Sequence, residues 1–265
     1  MKAYFALFSA RFRMLLQYRA AAIAGFGTQL AFGLILVMIL EAFYRSGNAE
    51  QPLTQAQAVT YTWLGQAFLG MLPYTANPDP EVRDMIRSGA VAYELALPLD
   101  LYTLWYARAI ASRSAPTLLR CFPLLFVAYL FLGMTLPPSL ASGAAFLVSL
   151  LAALFLVSAF SVLITVSLMW TVSGDGIARL LPSLVFLCCG LIIPLPLFPD
   201  WAQGILNILP FRGMADAPFR LYLGHLPPGD VFAIVAHQLL WTLAFVLLGK
   251  WLVGLGSRRL VVQGG

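Results

Sequence analysis

Charge is scarce in this chain. Asp, Glu, Lys and Arg make up 10% of its 265 residues against 61% hydrophobic ones, and the mean hydropathy is +0.86. A soluble domain of this size would have far too much apolar surface to bury, so lipid is the expected solvent for most of the chain. Lysine occurs only at Lys2 and Lys250, neither in a glycine-rich loop, and no G-x-x-x-x-G-K-[ST] run is present. The chain therefore lacks the means to hold ATP in the P-loop manner. H-E-x-x-H is missing too, and His225 and His237 lie apart from any group of acids or thiols, which excludes the usual zinc chemistries. His237 reads as a hydrogen-bonded packing residue. Cys121, Cys188 and Cys189 sit in apolar runs as small packing residues, and adjacent side chains on a helix point in different directions, so no disulfide framework is expected. The run Ser173-Gly174-Asp175-Gly176 offers one carboxylate where an intramembrane aspartyl protease needs two sharing a proton, and it reads as a tight turn. No catalytic residue, metal site or chain-bound cofactor is expected.

Long apolar runs are what the chain does have. Six approach the roughly 20 residues that cross a hydrocarbon core: about Ala20 to Phe43, Val59 to Tyr74, Ala115 to Gly133, Leu140 to Trp170, Leu180 to Pro196 and Val231 to Leu252. The expectation is an all-α polytopic membrane protein with six transmembrane helices, a single transmembrane domain over residues 1–265. With the N-terminus inside, the inner segments hold Lys2, Arg11, Arg13, Arg19, Arg83, Arg87, Arg108, Arg113, Arg120, Arg179, Lys250, Arg258 and Arg259, and the outer ones only Arg45, Arg212 and Arg220. That asymmetry sets orientation, so both termini are expected in the cytoplasm. The net charge of +5 then belongs to a face lined by anionic headgroups and gives no reason to expect nucleic acid as a partner.

Residues 2–19 place Phe5, Phe8, Phe12, Leu15 and Leu16 on one helical face, with Lys2 and Arg13 well off it, which predicts an interfacial helix leading into the first span. A secretory signal fits less well: the run from Ala20 is too long for its apolar core, and no small-residue cleavage site follows. In the cytoplasmic loop from Asn77 to Arg113, Asp79 can cap a short helix with Pro80 at its first position and Glu81 in its first turn, and Gly89 is placed to end it. Val82, Met85 and Ile86 fall on one side of this rod, and Arg83, Asp84 and Arg87 point elsewhere. A stiff lever and a plain connector resting on headgroups both fit that pattern. Tyr102, Trp105 and Tyr106 then anchor the approach to the third span, after which Arg120 must snorkel or face a wet cavity. Between the fifth and sixth spans, residues 190–229 are apolar yet rich in proline (Pro194, Pro196, Pro199, Pro210, Pro218, Pro227 and Pro228). A re-entrant hairpin on the outer side is expected, an ordered outer loop being the alternative.

Two runs carry a resemblance. Arg87 to Asp100, basic-x-Gly-x-x-Ala-Tyr-x-Leu-x-x-Pro-Leu-Asp, resembles the cytoplasmic signature of type 2 ABC export permeases, in particular a bacterial six-span branch. Ile193 to Trp201, followed by Leu209-Pro210-Phe211 and Pro218, is similar to the segment before the last span in that superfamily. The resemblance implies a permease in the bacterial inner membrane, paired with a second permease chain, the same or related, and with two ABC ATPase subunits that hold ATP and Mg. It makes Asp79, Glu81, Val82, Arg83, Met85, Ile86, Arg87 and Gly89 a coupling helix. It also makes Pro194, Phe198, Pro199, Trp201, Pro210 and Phe211 part of an outer gate. A substrate path along spans two and five would be lined by Tyr61, Gln66, Ser183 and Gln29, each of which alternatively serves as an interhelical hydrogen bond. The rival classes are an ion-gradient carrier, although Glu41 and Lys250 lie near span ends rather than at the midplane, and a non-transporting scaffold or sensor. A lipid-modifying enzyme would need a cluster of acids or metal ligands that is not there. Lipids, lipid-linked glycans, hydrophobic drugs and peptides suit the apolar spans about equally as cargo.

Overall fold

In lipid every backbone polar group must find a partner within the protein, and apolar runs of this length answer that demand as helices. The computed structural model describes residues 2–46, 51–73, 79–170 and 175–256, and it contains no strand among them. The helices, in order, are α1 (Lys2–Leu16), α2 (Arg19–Ser46), α3 (Gln55–Phe68), α4 (Pro80–Ser88), α5 (Val91–Leu95), α6 (Leu101–Phe131), α7 (Leu140–Ser167), α8 (Asp175–Cys188), α9 (Asp200–Ile208), α10 (Asp216–Tyr222) and α11 (Val231–Gly256). Tyr74, Asn77, Arg258, Arg259 and the Ser173-Gly174 half of the expected tight turn lie outside the described residues.

Of the six expected spans, four are helices long and apolar enough to cross a membrane: α2, α6, α7 and α11. The second and fifth are shorter. α3 and α8 have 14 residues each, about 21 Å at 1.5 Å per residue. Thr54 starts α3 with a reciprocal capping box to Gln57, and a 3-10 turn, Leu69–Met71, continues it. α8 ends before Gly190, whose φ of 85° is a left-handed conformation that favours glycine.

α7 is the centre of the bundle. Its most apolar window is 61% buried, against 17–28% for the other three long helices. Ser142, Ala145, Ser149, Ala152, Ala153 and Ala159 lie on its buried positions, and such small side chains let neighbouring helices approach closely. It packs against α6, α10 and α11. Gln238 of α11, fully buried, donates to the Gly213 carbonyl at 2.7 Å and to the Ser149 carbonyl at 3.1 Å, tying α11, α7 and the turn before α10 together.

Two boundaries differ from the sequence reading. The loop expected to run to Arg113 ends at Asp100, whose carboxylate accepts from Thr103 N–H at 2.9 Å and caps α6. Arg108 and Arg113 break the apolar run but not the helix, because each is met by a partner from elsewhere: Glu94 pairs with Arg108 at 2.7 Å, and the Leu72 carbonyl accepts from Arg113 at 2.7 Å. The arginine thereby covers the exposed carbonyl end of the α3 segment. The N-terminal helix, in turn, stops at Leu16 and is docked along α6. Tyr4 accepts the Asp100 N–H at 2.8 Å, and Leu7 packs against the cluster of Tyr102 and Trp105. Phe5 alone of its five expected apolar-face residues is exposed.

Candidate functional site

The segment from Asp79 to Asp100 forms a small head at the basic end of the bundle. Asp79 accepts from the N–H groups of Glu81 and Val82, Pro80 takes the first helical position, and Gly89 closes α4 at φ 76°. Val82 is buried with Val91, Leu101, Tyr102 and Trp105, and Met85 and Ile86 pack against the same cluster. The apolar face of the rod therefore lies on its own chain. Glu81 pairs with Arg11 of α1 at 2.7 Å. Asp84, Arg87 and Ser88 are exposed and Arg83 is half-buried, so the rod's polar face is turned outward.

Burial holds the Asp79 carboxyl above the usual carboxylate range, against the pull of the Val82 N–H and the Arg11 guanidinium. A raised folded pKa means that the folded state binds the proton more tightly than the unfolded one. Its stabilising contribution is complete below the unfolded value near 3.9 and is lost as pH rises through the folded value. Asp79→Asn keeps a capping oxygen and removes that loss. Hydrogen exchange of the α4 amides is expected to show equal or greater protection than wild type at neutral pH, with a flatter acid dependence. Asp79→Ala, which loses the cap, should exchange about fivefold faster, for a cap worth about 1 kcal/mol.

Sequence reasoning passed over the residue that fixes the head to the bundle. Glu94 is 7% exposed; one oxygen accepts from Trp105 Nε1 at 2.7 Å and the other pairs with Arg108 at 2.7 Å. It is the unspecified position beside Tyr93 in the signature run, and an acid flanked by apolar residues was the available signal. Lys250 of α11 adds a more exposed contact to Asp100 at 3.3 Å.

At the other end, Tyr61 does not line an opening. It is 2% exposed and donates its hydroxyl to Asp216 at 3.0 Å. Asp216 is fully buried, accepts the Leu195 N–H at 3.3 Å and faces Arg220 at 3.5 Å, and its own N–H donates to the Cys189 carbonyl at 3.1 Å. One residue, through its carboxylate and its backbone N–H, thus joins α3, the end of α8, the turn at Leu195 and α10. Asp216 and Arg220 stand one helical turn apart within an apolar proline-rich stretch, a spacing that could have marked them.

Gln29 and Gln66 do come together. They share a cavity of about 410 Å³ between α2, α3 and the end of α8, walled by Phe32, Ile35, Phe186 and Leu191. Both glutamines are buried, and among the described residues their side-chain oxygens accept no hydrogen bond. Ser183 is exposed on α8, one turn before Phe186. The six expected gate residues divide. Pro210 and Phe211 are buried, the latter edge-on to Phe160 of α7 with ring centroids 5.9 Å apart. Pro194 is buried, Phe198 packs against Leu195, Ala202 and Leu206, and Pro199, just before α9, and Trp201, in its first turn, are exposed. His237 and Trp241, one turn apart on α11, both reach the Ile208 carbonyl at 3.1 Å and so hold the end of α9.

A protein-family model described as ABC-2 family transporter protein matches residues 30–264. The chain belongs to that family. Comparison with curated proteins and with solved structures gave no match. An ABC-2 member is a membrane-embedded transport component that works with ABC ATPases and is not normally catalytic itself. The head of this ABC-2 chain is a capped rod on an apolar bed, pinned to α6 by Glu94 and to α1 by Glu81. Beside it, Tyr93, Leu95 and Leu97 are exposed, forming an apolar knuckle whose first two residues are the tyrosine and first leucine of the signature run.

Proposed function

We propose that this chain is the permease subunit of an ATP-driven exporter in the bacterial inner membrane, with both termini in the cytoplasm and six crossing segments, α3 and α8 being the two short ones. Two ABC ATPase subunits hold ATP and Mg, and a second permease, the same or related, completes the path. The observation that carries this reading is the head of an ABC-2 chain: α4 is fixed to α1 and α6 on one face and presents Asp84 and Arg87 on the other, with the exposed Tyr93 knuckle of α5 beside them. Nucleotide binding draws the ATPases together, α4 follows as a coupling helix, and α6 moves with it because Glu94 and Val82 leave little slack between them. The ATPase shifts the membrane region only if its contacts differ between the two states, which is the role assigned to Arg83 and Arg87. The turns around Pro194 and Pro210, with α9 and α10, form the outer gate. Cargo passes along the face that holds Gln29 and Gln66, whose oxygens suit an apolar molecule bearing a hydrogen-bond donor.

Purification of a tagged copy from its native membrane in mild detergent, with mass spectrometry and an ATP hydrolysis assay, tests the proposal. An ABC ATPase in about equal amount to total permease is the expected result. Reversing both charges, Arg83→Glu with Arg87→Glu, should leave insertion intact and remove most of the ATPase association and transport. A chain that emerges alone without ATP hydrolysis, or a double reversal that transports normally, contradicts the coupling scheme.

A further inference from the structure

At the basic end of the bundle a cavity of about 400 Å³ opens between α1, the first turn of α2 and the middle of α6. Met14, Leu15, Pro116 and Leu119 give it apolar walls, and Arg11 and Arg120 bring two guanidinium groups to it. Tyr18, 60% exposed at the break between α1 and α2, stands beside them. Arg11 gives one arm to Glu81 at 2.7 Å, but its Nε is buried without a hydrogen-bond partner among the described residues. Arg120 lies across Gly25 of α2 and, among the described residues, reaches only the Ala21 carbonyl, at 3.5 Å, its Nε too being buried without a partner there. No carboxylate among the described residues comes within ion-pair range of Arg120. Ala21 and Ala22 on the cavity wall belong to the first turn of a 28-residue helix, whose positive dipole end adds to the same field.

Two guanidinium groups with spare donors, a helix N-terminus, an interfacial tyrosine and apolar walls are together the chemistry of a phosphate attached to a hydrocarbon chain. Guanidinium forks match phosphate oxygens in pairs, and basic pockets between helices at a membrane face hold anionic headgroups. We propose that this cavity binds an anionic phospholipid, its phosphate between Arg11 and Arg120 and an acyl chain along Met14, Leu15 and Leu119. The bound lipid braces the α1–α2 elbow against α6 and, through Arg11 and Glu81, steadies α4. The site is separate from the cargo path and does not depend on the direction of transport.

The test is native mass spectrometry of the delipidated protein, with the subunits that purify with it, titrated with phosphatidylglycerol, phosphatidylcholine or inorganic phosphate. Phosphatidylglycerol should bind at least about tenfold more tightly than phosphatidylcholine, and Arg120→Gln should remove about that factor, the expected size of a lost charge-assisted contact. Arg120→Lys, which keeps the charge, should retain part of the preference. Equal binding of the two lipids, or undiminished phosphatidylglycerol binding in Arg120→Gln, overturns the proposal. Inorganic phosphate that binds as tightly as the lipid and displaces it overturns the lipid assignment in favour of a free-anion site. If Arg120→Gln does not accumulate, the wild-type titration and the Lys variant still decide.

Discussion

Asp216→Ala is expected to cost about 3–5 kcal/mol, because it leaves Arg220 facing a buried void and strands the Tyr61 hydroxyl and the Leu195 N–H. For a chain of this size that is a fall in melting temperature on the order of 10 °C, read by thermal unfolding of the detergent-solubilised protein. Asp216→Asn, which still accepts from Tyr61 and Leu195, should fall between the two. Removing both charges, Asp216→Asn with Arg220→Met, should recover part of the loss, since an unpaired buried charge is the largest single cost. An Asp216→Ala protein that melts within about 2 °C of wild type would show that the carboxylate does not hold α10 to α3.

The second large effect concerns Glu94. Glu94→Ala takes the carboxylate partner from Trp105 Nε1 and the counter-charge from Arg108, one of whose nitrogens is already buried without a hydrogen-bond partner among the described residues. Backbone amides of residues 91–100 should exchange with solvent roughly two to three orders of magnitude faster, while α7 and α11, which make no hydrogen bond or ion pair to Glu94, keep their protection. On the coupling scheme the variant still binds its ATPase, but hydrolysis no longer drives transport, because the head moves without α6. Unchanged exchange in residues 91–100 would remove Glu94 from that role.

What the sequence made legible was what local chemistry decides. α4 is such a case: Asp79, Pro80 and Gly89 each act on their own backbone neighbourhood, and the helix runs from Pro80 to Ser88 between them. Hydropathy likewise located the long helices, because length and apolarity are local properties. The start of α6 was not legible, since the partners that let Arg108 and Arg113 stay in a helix come from Glu94 and Leu72, 14 and 41 residues away. Tyr61 and Asp216 are 155 residues apart, and no periodicity joins them. Gln29 and Gln66 were chosen as polar residues in apolar runs; that criterion found the cavity they share but equally selected Tyr61, which spends its hydroxyl on structure.

The bonds of Gln238 also set a clock. Ser149 and Gln238 are separated by 89 residues, so at 5–20 residues per second a ribosome takes roughly 5–18 s to supply the partner after Ser149 has been made. Throughout that interval the central helix stands in the bilayer with its serine-lined side uncovered. Insertion factors or membrane proteases that read polar helix faces have those seconds in which to hold the nascent chain or to destroy it.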